Sequence, residues 1–202
     1  MTTATTRIEL SAPWIDERDE ELVLEVLRSG WLSLGPTGAR FESLVAAAVD
    51  APHCAAVSSG TAGLHLCMRL AGVGAGDEVI TSPYSFVASA NCAIYEGATP
   101  VFADIDPRTF NLDPAAVEAA ITPRTRAIVA VDIFGYPCEL DALTELCKRN
   151  GLALVEDSCE ALGARYRGRP LGSHGHPAVW AFYPNKQMTT GEGGAVTTHD
   201  EA

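Results

Sequence analysis

Seven short apolar runs, rich in β-branched residues, recur along the chain at 54–58, 78–82, 99–103, 126–131, 152–156, 178–182 and 194–198. Their brevity and their Gly, Pro and Asp flanks mark them as buried strands rather than pieces of helix. Helical spacing fills the intervals. Leu64, Met68 and Ala71 recur at i, i+4 and i+7, and Leu140, Leu143, Leu146 and Cys147 form a second apolar stripe. Asp113 followed by Pro114 supplies a cap residue and a first-turn proline for a third helix. Strand–helix alternation of this kind predicts an α/β fold, a mostly parallel sheet flanked by helices. The first six strand centres fall near 56, 80, 101, 128, 154 and 180, and each interval holds a strand, a crossover helix and two loops. The last interval is shorter. Its connection, 183–193, contains Pro184, Gly191 and Gly193 and has no room for a helix, so the final strand is expected to run antiparallel to its neighbour. Residues 1–50 read as a helical segment, two amphipathic helices around the turn Gly35-Pro36, ahead of a sheet domain at 51–202.

Composition narrows the function classes. The 202 residues carry 14 Lys and Arg against 26 Asp and Glu, a net charge of −12, which disfavours nucleic acid or an anionic membrane as partner. A phosphorylated small molecule stays compatible, because backbone amides hold phosphate without net positive charge. With 47 % hydrophobic residues the chain has enough apolar material for a real core. No apolar run is long enough for a membrane span, and the first 22 residues show no export signal. The six cysteines lack any C-x-x-C spacing and sit mostly in apolar runs, which predicts buried, reduced thiols and a cytoplasmic setting.

Three polar clusters follow predicted strands, where open α/β sheets bind their ligands. Ser58-Ser59-Gly60-Thr61-Ala62 leaves a strand and opens a helix. Glycine permits close backbone approach and free amides point outward, as a phosphate cradle requires, although the same pattern also serves as a plain N-cap. Glu156-Asp157-Ser158-Cys159-Glu160 ends a buried strand with acids, which need a cation or a strong donor; a helix cap or a structural ion pair meets that need equally. Phe182-Tyr183-Pro184-Asn185-Lys186 sets a lysine just past another strand, where a desolvated amine can act as nucleophile and a solvated one is ordinary surface. The combination is more specific than its parts. A phosphate site, a lysine amine and a carboxylate for a pyridine nitrogen are what pyridoxal phosphate needs. Phe86, within Ser82-Pro83-Tyr84-Ser85-Phe86, offers a ring to stack on it, or else a core side chain.

At these residues the chain resembles the pyridoxal-phosphate-dependent sugar aminotransferases of the DegT/DnrJ/EryC1/StrS family. The likeness runs through SGWLSLGP, SSGTAGLHL, DEVITSPYSFVASANCAI, ATPVFADID, VEDSCEALGA and FYPNKQMTTGEGG. It implies an aspartate-aminotransferase-like (fold type I) large domain. Lys186 would condense with the cofactor and later shuttle a proton, Asp157 would pair with the ring nitrogen, Phe86 would stack on the ring, and Gly60, Thr61 and Ala62 would hold the phosphate. The implied reaction transfers an amino group, usually from L-glutamate, to a nucleotide-linked keto sugar, in a homodimer, for polysaccharide or glycosylated natural-product synthesis. Lysine at 186 separates the chain from the related dehydratases, which carry histidine there. Three positions depart from the common pattern. Glu160 replaces a frequent Gln facing the cofactor's phenolic oxygen, as in perosamine-synthase-like members, and is expected to be protonated or turned away. Ala181 replaces a phosphate-binding Ser, and Asp132 a frequent His, with no role assigned. Family members continue beyond the last residues into a small C-terminal domain, so the chain reads as an amino-terminal half. The alternative to an active enzyme is therefore a catalytically inactive remnant that binds cofactor or a full-length homologue. A dinucleotide-binding domain lacks its G-x-G-x-x-G fingerprint.

Overall fold

A computed structural model describes residues 11–200. The opening ten residues, part of the stretch read as lacking an export signal, lie outside the described residues. Two helices come first, α1 (Glu17–Ser29) and α2 (Pro36–Ala48). Asp16 caps α1 through a reciprocal capping box with Asp19, and Pro36 opens α2, where its fixed φ and missing N–H cost nothing. The sheet follows as β1 (His53–Val57), β2 (Glu78–Thr81), β3 (Thr99–Phe102), β4 (Thr125–Val131), β5 (Ala153–Asp157), β8 (Ala178–Ala181) and β9 (Gly194–Thr198), with a two-residue hairpin, β6 (Arg165–Tyr166) and β7 (Arg169–Pro170), beside it. Between strands lie α3 (Gly60–Leu70), α4 (Ala88–Tyr95), α5 (Pro114–Ala120) and α6 (Leu140–Asn150).

The seven-stranded sheet has the order β1-β9-β8-β5-β4-β2-β3. β9 is antiparallel to both neighbours and every other pairing is parallel, as the short connection before it required. Carboxyl ends of β1, β8, β5, β4 and β2 therefore open on one edge. Alternation along the strands sends side chains to two cores. Ile80, Ile128, Leu154 and Trp180 pack with Leu140, Leu143 and Leu146 of α6 on one face. Val79, Val129, Val155 and Val179 pack with Leu64 and Met68 of α3 and Cys92 of α4 on the other. α2 joins the first core through Val45, Val49 following at its C-cap, and Phe41 meets Phe182 edge-on at 5.3 Å. α1 buries no side chain. All six thiols are free, four of them buried and Cys54 and Cys159 half-buried. No helix among the described residues is long and apolar enough to cross a membrane.

Candidate active site

The strand ends converge on a cavity of about 440 Å³. Gly60, Thr61, Phe86, Asp157, Glu160 and Lys186 all contribute to its wall, so the three sequence clusters meet in space. The parity of β5 decides what its two terminal acids do. Glu156 points with Leu154 into the α6 core, whereas Asp157 points with Val155 toward α3 and α4 and reaches the cavity.

At one end of the wall, Ser59 caps α3, its Oγ accepting from the Ala62 amide at 3.1 Å. Ala62 is thereby engaged in the cap and lies off the cavity wall, while Thr61 and the first-turn amides of Gly60 and Thr61, which lack intrahelical partners, stand on it. Close packing holds this turn in place. A Cβ on Gly60 would sit 2.7 Å from Cys159 Sγ and 2.9 Å from Ala181 Cβ. Alanine at 181 leaves a hydrocarbon surface here, with no hydroxyl.

Asp157 is buried, and Ser89 Oγ of α4 donates to its Oδ2 at 2.7 Å. The Cys159 amide reaches Oδ1 at a longer 3.4 Å. Lys186 follows β8 in a turn closed by its own amide donating to Tyr183 O at 2.9 Å. Its side chain is 16 % exposed, and Nζ donates to Glu160 Oε1 at 3.1 Å. Glu160 is thus not turned away from the site. It faces the amine, and its Oε2 accepts from the Phe134 amide at 3.2 Å. Phe86, by contrast, is 73 % exposed, a ring at the cavity mouth rather than a core side chain.

Asp132, given no role from sequence, is fully buried on the same wall. Ser158 Oγ donates to its Oδ2 at 2.7 Å and the Cys138 amide to its Oδ1 at 2.9 Å. Burial pushes its carboxyl up to about 7, the two donors opposing and the nearby Asp157 charge reinforcing the rise. The tight turn after it, Ile133–Gly135, contains Phe134 at φ 53, a left-handed conformation costly for a bulky residue. Asn111 holds that turn, Oδ1 accepting from the Ile133 amide at 3.0 Å and Nδ2 donating to Tyr136 O at 2.8 Å. Sequence reading gave no role to Ser85, Ser89, Tyr183 and Asn185. The only sequence signal for the two serines was their place just past a strand that ends at the same sheet edge.

Comparison with known proteins agrees with this arrangement. A family model described as the DegT/DnrJ/EryC1/StrS aminotransferase family matches residues 13–202. The spore coat polysaccharide biosynthesis protein SpsC of Bacillus subtilis is 48 % identical over 191 residues, which are 95 % of this chain and 49 % of that protein. GDP-perosamine synthase of Caulobacter vibrioides is 45 % identical over 196 residues, 96 % of this chain and 53 % of that enzyme. Among solved structures, the PLP form of Spr1654 from Streptococcus pneumoniae superposes with a TM-score of 0.93 at 33 % identity, covering 97 % of this chain and 54 % of that one. The chain spans about half the length of the relatives it matches. With the family's model covering all but its first twelve residues and a sheet that superposes on an aminotransferase-like fold, the chain belongs to the DegT/DnrJ/EryC1/StrS aminotransferase family.

Proposed function

We propose that the chain binds pyridoxal phosphate and serves the transfer of an amino group from L-glutamate to the keto carbon of a nucleotide-linked keto sugar, in the cytoplasm, as a homodimer whose product enters a polysaccharide or a glycosylated natural product. The observation that carries the proposal is the meeting of a lysine amine, a buried carboxylate and a helix N-terminus around one cavity of about 440 Å³. That volume lies in the range of small-molecule sites. The residues present fit the cofactor. First-turn amides of α3 with the Thr61 hydroxyl suit a phosphate, and Asp157 suits a protonated aromatic nitrogen. Gly60 packs against Cys159 and Ala181 with no space for a side chain, which keeps the turn's backbone amides at the cavity wall.

When bound, the cofactor supplies an aldehyde carbon for amine exchange and a protonated ring that draws electrons from the bond being broken. Asp157 would hold a protonated ring nitrogen, and Phe86 would offer a ring for stacking. Gly60, Thr61 and Ala62 form the phosphate turn, Ala62 by locking it through the Ser59 cap. Lys186 Nζ would be the nucleophile toward the cofactor's aldehyde carbon and the group that carries a proton there. Glu160 orients that amine by accepting its hydrogen bond at Oε1. The helices α1 and α2, within the segment 1–50 expected from sequence, precede the cofactor-binding unit expected at 51–202.

The names of two relatives support the substrate class, one a GDP-perosamine synthase and one a polysaccharide biosynthesis protein. The test is incubation of the chain with pyridoxal phosphate, isotope-labelled L-glutamate and a keto sugar nucleotide. The reading requires labelled nitrogen in the sugar product, absent in Lys186→Ala. Because the chain spans about half of its relatives, a second reading has it hold the cofactor or a full-length homologue without turnover. Cofactor capture with no labelled product would select that second reading.

A further inference from the structure

We propose that Ser89 is the positioning residue of Asp157, and that Ser85 and Ser89 form a two-hydroxyl relay that engages one carboxylate oxygen and leaves the other for the ligand. The inference rests on the cofactor reading above and deepens it. Ser89 lies in the first turn of α4, is 1 % exposed, and donates its single proton to Asp157 Oδ2 at 2.7 Å. That proton is then spent. The 2.7 Å contact between Ser85 Oγ and Ser89 Oγ must therefore carry the Ser85 proton, which fixes the direction of the relay from cavity wall to acid. Oδ1, with only the long 3.4 Å contact from Cys159, remains short of donors.

The other groups around Asp157 bring it no positive charge. Burial pushes the Cys67 thiol of α3 and the Cys92 thiol of α4 up to about 12, and those of Cys138 and Cys159 well above the usual thiol range. Asp132, beyond β4, is an acid itself. The cation on the cavity wall, Lys186, is engaged by Glu160. A hydrogen bond donated to Oδ2 stabilises the ionised carboxylate over the neutral acid. Held in place by that bond, the carboxylate would favour a proton on a ligand nitrogen placed at Oδ1.

The experiment uses the 202-residue chain, its Ser89→Ala, Ser89→Thr and Ser85→Ala variants, and pyridoxal phosphate labelled at the ring nitrogen. Nitrogen NMR of the bound cofactor is expected to report a protonated ring in the wild type and a shift toward the neutral position in Ser89→Ala. The cofactor dissociation constant should rise about tenfold, the effect of losing one charge-assisted hydrogen bond. Ser89→Thr, which keeps the hydroxyl, restores both readouts, and Ser85→Ala moves them the same way by less. An unmoved ring signal in Ser89→Ala, or a threonine variant that is folded by circular dichroism yet behaves like alanine, overturns the proposal. A wild-type chain that takes up no pyridoxal phosphate overturns the cofactor reading instead. Ser89 is then judged on the cofactor-free chain, where the Asp157 carboxyl-carbon resonance must move in Ser89→Ala and return in Ser89→Thr.

Discussion

Gly194→Ala is the substitution whose cost the geometry sets most sharply. Gly194 begins β9 directly against the entry of α3. A Cβ placed there would lie 2.6 Å from the Ser59 carbonyl carbon, 2.7 Å from the Gly60 nitrogen and 2.8 Å from the Ser59 oxygen. All three are backbone atoms, so no rotamer change relieves the overlap, and the Ser59–Gly60 turn itself must move. Overpacking a core costs about 1–3 kcal/mol, and a displaced backbone belongs at the upper end, so we expect about 3 kcal/mol. That is a large share of the roughly 5–15 kcal/mol that holds an ordinary domain folded. The displaced atoms carry the first-turn amides, so affinity for pyridoxal phosphate falls as well. Gly38→Ala is the matched control. It lies within α2 with nothing within 4 Å of its added Cβ, and gains up to about 1 kcal/mol from helix propensity. Urea unfolding followed by circular dichroism measures both. A Gly194→Ala midpoint equal to or above that of the wild type refutes the packing argument.

Two further substitutions test other parts of the structure. Glu156 is buried in the α6 core, one oxygen accepting from the Gly172 amide at 3.2 Å and the other without a partner, and burial pushes its carboxyl from 4.5 up to about 8. Between those pH values the unfolded chain binds fewer protons than the folded one, so Glu156 lowers stability progressively as pH rises, by up to about 5 kcal/mol. Glu156→Gln should roughly halve that decline in thermal unfolding measured across pH, leaving the comparable slope of Asp132, which ends near 7. Asn111→Ala removes both restraints on the strained Phe134 turn and orphans a buried amide, so we expect a loss of about 2–3 kcal/mol in urea unfolding.

Local pattern was enough for most of the scaffold. Strands carry their signal in consecutive residues, so 178–182 and 194–198 were readable one by one, and the helix-free connection between them gave the antiparallel end. The hairpin β6–β7 was not seen, because two-residue strands have no period to detect. Asp113, Leu140 and Lys186 were similarly marked by their neighbours: a following proline, a helical stripe, and a strand end with Pro184. What stayed hidden was pairing at a distance. Ser89 meets Asp157 across 68 residues and Ser158 meets Asp132 across 26, and nothing beside either serine specifies its acid. The hydrogen bond that Glu160 accepts from Lys186 was hidden for the same reason. Repulsion from a phenolate was foreseeable, but the competing attraction of Lys186 depends on how two loops fold against each other.

Borohydride treatment of the chain with pyridoxal phosphate, followed by peptide mass spectrometry, tests the central claim most directly. The account predicts one cofactor mass fixed to the peptide carrying Lys186, lost in Lys186→Ala and weakened in Asp157→Ala. A wild-type chain that retains no cofactor, or carries it on other lysines with Lys186 unmodified, contradicts it.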